Sequence, residues 1–331
     1  MCLCPVVHSD PMTGMPLRTR LFTTALDRLG RGSIVDMDLE DIRRARRSVA
    51  PTVPPFSWVT GRIARSVTIG TDALAARDGH SLPVRVYRPS TATRDLPVVV
   101  FFHGGGWVLG STRMYDPLCS FLAAEVGAVV LGVDYRMAPE HRAPTAALDC
   151  VDAVRQVSVH GERWNADTSR LAVAGDSAGG NLAAVVCQVV RDDGGPVIAH
   201  QALIYPGTDA TMSQPSIRQH ADAPVLSRPK IEAFLAHYRG PDGLATQDPL
   251  LSPLWAADHS GLPPALVQTA DLDPLRDEGA LYATRLSDAG VPVRLTNYLG
   301  APHGFASFPG ATPIAAQARA ELVGELRSHL G

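Results

Sequence analysis

Gly175-Asp176-Ser177-Ala178-Gly179-Gly180 sets a serine between small residues, where an apolar strand-like run ends and a helical pattern begins. So sharp a strand-to-helix reversal needs small residues on both sides, and Gly175 and Gly179 supply them. Such a turn thrusts the serine out above the carboxyl edge of a sheet, with its hydroxyl facing the first turn of the helix. The dipole there favours developing negative charge. The chemistry this suits is nucleophilic attack on a carbonyl. The bare G-x-S-x-G spacing arises by chance in many chains, and the strand-turn-helix setting gives this copy its weight.

A second glycine cluster, His103-Gly104-Gly105-Gly106-Trp107, follows the apolar run Leu96 to Phe102. Consecutive glycines let backbone N–H groups approach a substrate without Cβ obstruction. Their expected task is to bind the oxyanion of a tetrahedral intermediate, together with the N–H of Ala178 directly after the serine. A dinucleotide loop is the rival reading. It fails because the sixth position counted from Gly104 is Leu109 rather than glycine, and bulky Trp107 sits inside the loop. His103 is expected to fix the loop's shape by hydrogen bonding rather than to act as a base, and Asp176 to be a structural acceptor.

Ser177 needs a base, and the base needs an orienting carboxylate. His303, in Ala301-Pro302-His303-Gly304-Phe305, follows the strand-like segment Val293 to Asn297. Asp271, Asp273 and Asp277 all follow the segment Pro264 to Thr269, and residue chemistry alone does not choose among them. The chain order serine, aspartate, histidine matches the α/β-hydrolase arrangement.

The elements that would position these groups alternate along the chain. An antiparallel opening, Ser66 to Ile69 and Leu82 to Tyr87, turns at Arg77-Asp78-Gly79-His80. Buried strands are then expected at Leu96 to Phe102, Ala128 to Val133, Leu171 to Ala174, Ile198 to Ile204, Pro264 to Thr269 and Val293 to Asn297. Helices are expected between them at Tyr115 to Val126, Ala143 to Val157, Ala178 to Val190 and Leu275 to Ala289, with a last one at Ile314 to Leu330. This predicts a mostly parallel central sheet with helices on both faces. Residues from about Pro206 to Pro249 break the rhythm and read as an insertion over the functional edge, with a helix at Lys230 to Tyr238. The first fifty-odd residues read as helix and loop, with helical spacing at Thr24 to Leu29 and Leu39 to Val49.

Composition excludes several other classes. The chain has 331 residues, 45% hydrophobic and 19% charged, with a formal net charge of −3. A chain of this length buries roughly three quarters of its unfolded surface and needs no disulfide or metal to hold a core. The charge balance argues against nucleic acid as a partner. Arg43, Arg44, Arg46 and Arg47 form the densest basic cluster, but acidic residues precede them, so a solvated helix face is expected. The five cysteines, an odd number, read as free thiols. Cys2 and Cys4 lack enough neighbouring ligands for a metal. No apolar run reaches the roughly 20 residues of a membrane span, and no secretory signal is evident, so a cytoplasmic enzyme is expected.

Taken jointly, four stretches resemble the hormone-sensitive-lipase-like family of bacterial carboxylesterases (family IV). They are His103-Gly104-Gly105-Gly106-Trp107, Asp134-Tyr135-Arg136-Met137-Ala138-Pro139-Glu140, the Gly-Asp-Ser-Ala-Gly-Gly turn, and Asp273-Pro274-Leu275-Arg276-Asp277-Glu278-Gly279 with His303-Gly304-Phe305. The resemblance covers roughly residues 65 to 331. It implies an α/β-hydrolase fold, a triad of Ser177, Asp273 and His303, and oxyanion donors at Gly105, Gly106 and Ala178. It chooses Asp273 as the acid because the family's acid directly precedes the proline. It also implies a helical cap built from residues 1–55 and about 206–249 over a catalytic domain spanning 56–331. The implied activity is hydrolysis of short- to medium-chain acyl esters, a small-molecule substrate class needing no cofactor and no metal, and the family allows a homodimer. Amide, lactone or carbamate hydrolysis by the same groups is the alternative. A non-catalytic binding relative, like the plant gibberellin receptor, is argued against by the intact triad. Trp107, Phe305 and Phe308 stand beside the motifs and are expected to line an apolar acyl pocket. The family often has an aromatic where Leu272 stands.

Overall fold

The computed structural model describes residues 14–29, 32–91 and 95–331, so Cys2 and Cys4 lie outside the described residues. Three helices come first: α1 (Leu17–Leu29), α2 (Leu39–Arg47) and the single turn α3 (Ser57–Thr60). Eight strands follow and form one sheet in the order β1-β2-β4-β3-β5-β6-β7-β8. Strands β1 (Val67–Ala75) and β2 (Ser81–Pro89) pair antiparallel around Asp78-Gly79, where Gly79 takes φ +83° to close the turn. β2 also runs antiparallel to β4 (Val129–Val133). β3 (Leu96–Phe102), β4, β5 (Ala166–Asp176), β6 (His200–Ile204), β7 (Ala265–Leu272) and β8 (Val293–Pro302) are mutually parallel.

The central strands are apolar throughout because both faces are covered. In β3, Val98, Val100 and Phe102 enter one core layer, while Val99 and Phe101 enter the other. Helices α5 (Thr145–Val159), α6 (Ala178–Asp192) and α9 (Arg276–Asp288) bury Val151, Leu182 and Leu286 in the first layer. Helices α4 (Asp116–Leu122) and α10 (Ala315–Leu330) bury Leu118, Leu122, Leu322 and Leu326 in the second. Between β6 and β7 lie α7 (Pro215–Gln219) and α8 (Arg228–Arg239).

Several expected boundaries move. The helix expected over Tyr115 to Val126 is broken into a 3₁₀ turn at Thr112–Tyr115, α4, and a π turn at Ala123–Gly127. Gly127 adopts φ +76° there and turns the chain into β4. β5 begins five residues before the apolar run does, because Leu96 and Pro97 of β3 pair with Ala166 and Asp167 before a bulge resets the register. α7 carries no apolar periodicity over its five residues and went unread. Cys119, Cys150 and Cys187 are buried free thiols. Among the described residues, no helix is long and apolar enough to cross a membrane.

The basic cluster on α2 is not uniformly solvated. Arg44 and Arg47 are exposed and pair with Asp41 and Glu40, but Arg43 and Arg46 reach across to Glu140. The cause is a buried Ile42, which turns that side of the helix onto the body of the molecule.

Candidate active site

β5 ends at Asp176 and α6 begins at Ala178, so Ser177 alone makes the reversal. It does so at φ +54°, ψ −120°, a backbone that residues with a side chain rarely adopt. The turn is held by a Ser177 N–H bond to the Ile204 carbonyl at 2.8 Å. A Cβ at Gly175 would collide with the Gly179 carbonyl, and one at Gly179 with the Phe102 carbonyl, which is why the serine's flanks are glycine.

His303 follows β8, and its ring bridges the other two members. Nε2 stands 2.9 Å from Ser177 Oγ, and Nδ1 stands 2.6 Å from Asp273 Oδ2. Asp273 is fully buried, and its Oδ1 accepts the Leu275 N–H at 2.9 Å, which fixes the carboxylate plane. The other two aspartates are engaged elsewhere. Asp271 accepts the Gly300 N–H at 3.1 Å, and Asp277 accepts the Ser216 N–H at 2.9 Å and Arg276 Nε at 2.8 Å.

The glycine loop is fastened from below. Asp176 Oδ1 accepts the Gly104 N–H at 2.8 Å, and Oδ2 accepts the Tyr115 hydroxyl at 3.0 Å. Burial pushes the Asp176 carboxyl up to about 6, against the lowering effect of those donors. His103 Nδ1–H donates to the Gly104 carbonyl at 2.8 Å, its ring stacks on Tyr135 at 4.4 Å, and the Tyr135 hydroxyl donates to the His103 carbonyl at 2.7 Å. Burial holds His103 below the usual histidine range, so it is a neutral structural group.

Ser177, His303, Gly105, Gly106 and Ala178 share a cavity of about 350 Å³. Among the described residues, no protein group takes the N–H of Gly105 or Gly106. The N–H of Ala178, first in its helix, has no intrahelical acceptor either. Apolar walls come from Leu226, Ile231 and Phe234 of the 206–249 segment and from Phe308, while Ala50 and Thr52 reach in from the N-terminal segment. Trp107 lines the cavity with its ring stacked on Tyr238 at 4.7 Å. Phe305 does not line it. It is fully buried in the second core layer, packed on Tyr205 at 5.2 Å and Tyr298 at 5.2 Å, because the 3₁₀ turn after Gly304 carries it inward and leaves Phe308 outermost.

Two wall residues escaped the sequence reading. Phe234 belongs to α8, in the segment with the weakest pattern. Its ring covers Gly106 so closely that a Cβ there would strike it. Glu278 is buried, and its Oε1 accepts the N–H groups of Thr208 at 2.7 Å and Asp209 at 3.2 Å, shaping the loop after β6. Its place in the Asp273-to-Gly279 stretch was the available signal. Far from the site, His200, Glu325 and His329 bring ligand atoms within 4.8 Å of one another. The two imidazoles stack face to face at 4.3 Å, so their in-plane lone pairs run side by side instead of converging on one point as ion ligands do.

Comparison with known proteins shows the family and the fold. A family model described as alpha/beta hydrolase fold matches residues 99–307. Carboxylesterase NlhH of Mycobacterium tuberculosis is 45% identical over 294 residues, covering 88% of this chain and 89% of that protein. An ethyl acetate hydrolase of Pseudomonas putida is 35% identical over 306 residues, covering 90% and 94%. Among solved structures, a thermostable esterase from Pseudomonas putida superposes with a TM-score of 0.86 at 35% identity, covering 96% of this chain and 98% of that one. A hyperthermophilic esterase from Pyrobaculum calidifontis gives 0.84 at 34%, covering 96% and 99%. With its glycine loop, strand-turn-helix serine and aspartate-held histidine on one sheet edge, the chain belongs to the hormone-sensitive-lipase-like carboxylesterases of the α/β-hydrolase fold.

Proposed function

We propose that Ser177, His303 and Asp273 hydrolyse short- to medium-chain acyl esters through an acyl-enzyme. The observation that carries this is the unbroken relay from Ser177 Oγ to His303 Nε2 at 2.9 Å and from Nδ1 to Asp273 at 2.6 Å. His303 removes the serine proton as Oγ attacks the ester carbonyl. Asp273 keeps Nδ1 protonated and stabilises the imidazolium. The N–H groups of Gly105, Gly106 and Ala178 receive the developing oxyanion. His303 returns the proton to the departing alcohol, then activates a water that releases the acid and restores the serine.

The substrate size rests on the cavity. Its volume of about 350 Å³ is at the small end for small-molecule sites, and its walls are largely apolar. That supports acyl groups of a few carbons over long fatty chains. Among the described residues, the stretch around Ala50 and Thr52 and the segment of about 206–249 act as a cap in this reading, since Ala50, Thr52, Leu226 and Phe234 line the cavity.

The test is hydrolysis of p-nitrophenyl esters of graded acyl length by wild type and Ser177→Ala. The expected result is a length optimum at short to medium acyl groups in wild type and loss of turnover in Ser177→Ala. Hydrolysis by Ser177→Ala close to wild type would overturn the assignment. Activity on amides or lactones with none on esters would move the substrate class and keep the triad.

A further inference from the structure

Arg46 ties the N-terminal segment to the loop that carries the glycines. Its Nε donates to the Val108 carbonyl at 2.7 Å, Nη1 donates to Glu140 Oε2 at 3.0 Å, and Nη2 donates to the Ala138 carbonyl. Val108 directly follows Trp107, and the Ala138 N–H donates to the Trp107 carbonyl at 3.0 Å. Both carbonyls that Arg46 grips therefore lie on the two strands of chain joined through Trp107. Arg43 Nε takes the other oxygen of Glu140 at 3.0 Å. Arg46 is 17% exposed at its side chain, against 61% and 67% for Arg44 and Arg47 on the same helix, so among the three it alone is turned toward the molecule. Ile42, completely buried in the first core layer, anchors the helix behind it.

The glycine loop needs such an external hold. Three successive glycines give its backbone unusual freedom, with Gly105 at φ +120° and Gly106 at φ +62°. Its near end is fixed by the Gly104 N–H on Asp176, and its turn by the Leu109 N–H on the Gly105 carbonyl at 2.8 Å. Its far end, at Trp107 and Val108, is held by Arg46 and the Ala138 N–H. A guanidinium presents its donors in a rigid planar fork, which suits three acceptors converging from different directions, and an ammonium on a flexible stem does not reproduce that.

We propose that Arg46 is a positioning residue for catalysis: by clamping the carbonyls of Val108 and Ala138 and the Glu140 carboxylate, it holds the N–H groups of Gly105 and Gly106 where the oxyanion forms. This rests on the reading of that loop as the oxyanion hole of Ser177. The N-terminal segment thus does more than roof the cavity. It completes the transition-state site.

The test compares wild type, Arg46→Met, Arg46→Lys, Arg46→Ala and the control Arg44→Gln on one p-nitrophenyl ester, with folding followed by circular dichroism and thermal melts. Arg46→Met is expected to lose about tenfold to hundredfold in kcat with KM near wild type, the signature of misplaced oxyanion donors rather than lost substrate binding. Arg46→Lys keeps the charge and the stem but is expected to recover only part of the loss. It also serves as the readout should the Met variant not fold. Guanidinium ion at sub-denaturing concentration is expected to raise kcat of Arg46→Ala and to leave Ser177→Ala inert. Arg44→Gln is expected to behave as wild type. Folded Arg46→Met and Arg46→Lys variants with wild-type kcat would refute the clamp. So would a loss of activity that tracks loss of folded protein and is not rescued by guanidinium. If wild type shows no Ser177-dependent hydrolysis, the oxyanion reading itself fails and takes the clamp with it; Ser177-dependent hydrolysis with unaffected Arg46 variants removes only the clamp.

Discussion

Ser177 holds φ +54° without being glycine, a conformation that costs about 1–3 kcal/mol and persists only where the surroundings over-determine it. The over-determination is visible in the Ile204 carbonyl that takes its N–H and in Gly175 and Gly179, whose absent Cβ atoms leave room for the carbonyls of Gly179 and Phe102. The return on that strain is a hydroxyl aimed at His303. At the same scale, the contacts of the three candidate aspartates differ. Asp273 spends one oxygen on the Leu275 N–H and the other on His303, whereas Asp271 and Asp277 hold loop backbone and Arg276. Asp273→Asn is therefore expected to lower kcat by about 10⁴-fold, because the amide favours the wrong imidazole tautomer. Asp271→Asn is expected to change it little. Steady-state kinetics on the two variants check this, and a larger loss in Asp271→Asn would reverse the assignment. In the sequence the three aspartates are equivalent as residue types, since each follows the apolar run Pro264 to Thr269, and only the family resemblance separates them; in the fold Asp271 lies inside β7, Asp277 inside α9, and Asp273 between the two. Phe305 was misread for a related reason: adjacency to His303 in the chain says nothing about which way a 3₁₀ turn carries a ring.

Elements were legible where burial on both faces imposes a pattern. The apolar runs of β3, β4, β6 and β7 announce strands, and the glycine-bounded turn announces the start of α6. Pieces whose conformation is set by neighbours were not legible. The π turn after α4 and the early start of β5 follow from contacts with adjacent strands rather than from local propensity. The packing of β6 on α10 carries a further consequence. His200, at the start of β6, is buried against His329 with neither ring nitrogen bonded to a protein group. Burial first, and the nearby His329 second, push its pKa down to about 3. Below pH 6.5 the unfolded chain binds a proton there that the folded chain does not, so stability falls as pH drops from about 6.5 towards 3. At pH 5 the cost is about 2 kcal/mol relative to pH 7. His200→Phe keeps the stacked ring and removes the titration. Urea melts at pH 7 and pH 5 are expected to show a smaller acid-side loss in this variant than in wild type, with a residue of the effect remaining from His103, His220, His237 and His259, which burial also holds low. Equal losses in the two proteins would mean that His200 titrates normally in the fold.

At the scale of the whole molecule, the cavity is a joint product of segments that are distant in the chain. The sheet edge supplies Ser177 and His303. The loop after β3 supplies the glycines, and α8 lays Phe234 over Gly106 while Tyr238 of the same helix stacks on Trp107. This is the least legible part of the sequence, because a wall residue is chosen by the shape of the space it closes and carries no motif. The same placement makes Phe234 the residue whose removal is expected to relax any limit on substrate size. Its ring lies against the loop expected to receive the oxyanion, so any acyl or alcohol group extending along that wall meets it first. Phe234→Ala leaves Ser177, His303 and Asp273 untouched and opens the cavity beside the carbonyl-binding end. The expected outcome is a shift of the p-nitrophenyl ester optimum towards longer or bulkier acyl groups, with kcat/KM for the acetyl ester reduced because a short acyl group loses its packing partner. The two changes must occur together, since they have one cause. A uniform fall across all acyl lengths would instead mean that the ring acts by supporting Gly106, and the size limit would then lie with Leu226, Ile231 and Phe308 on the remaining walls.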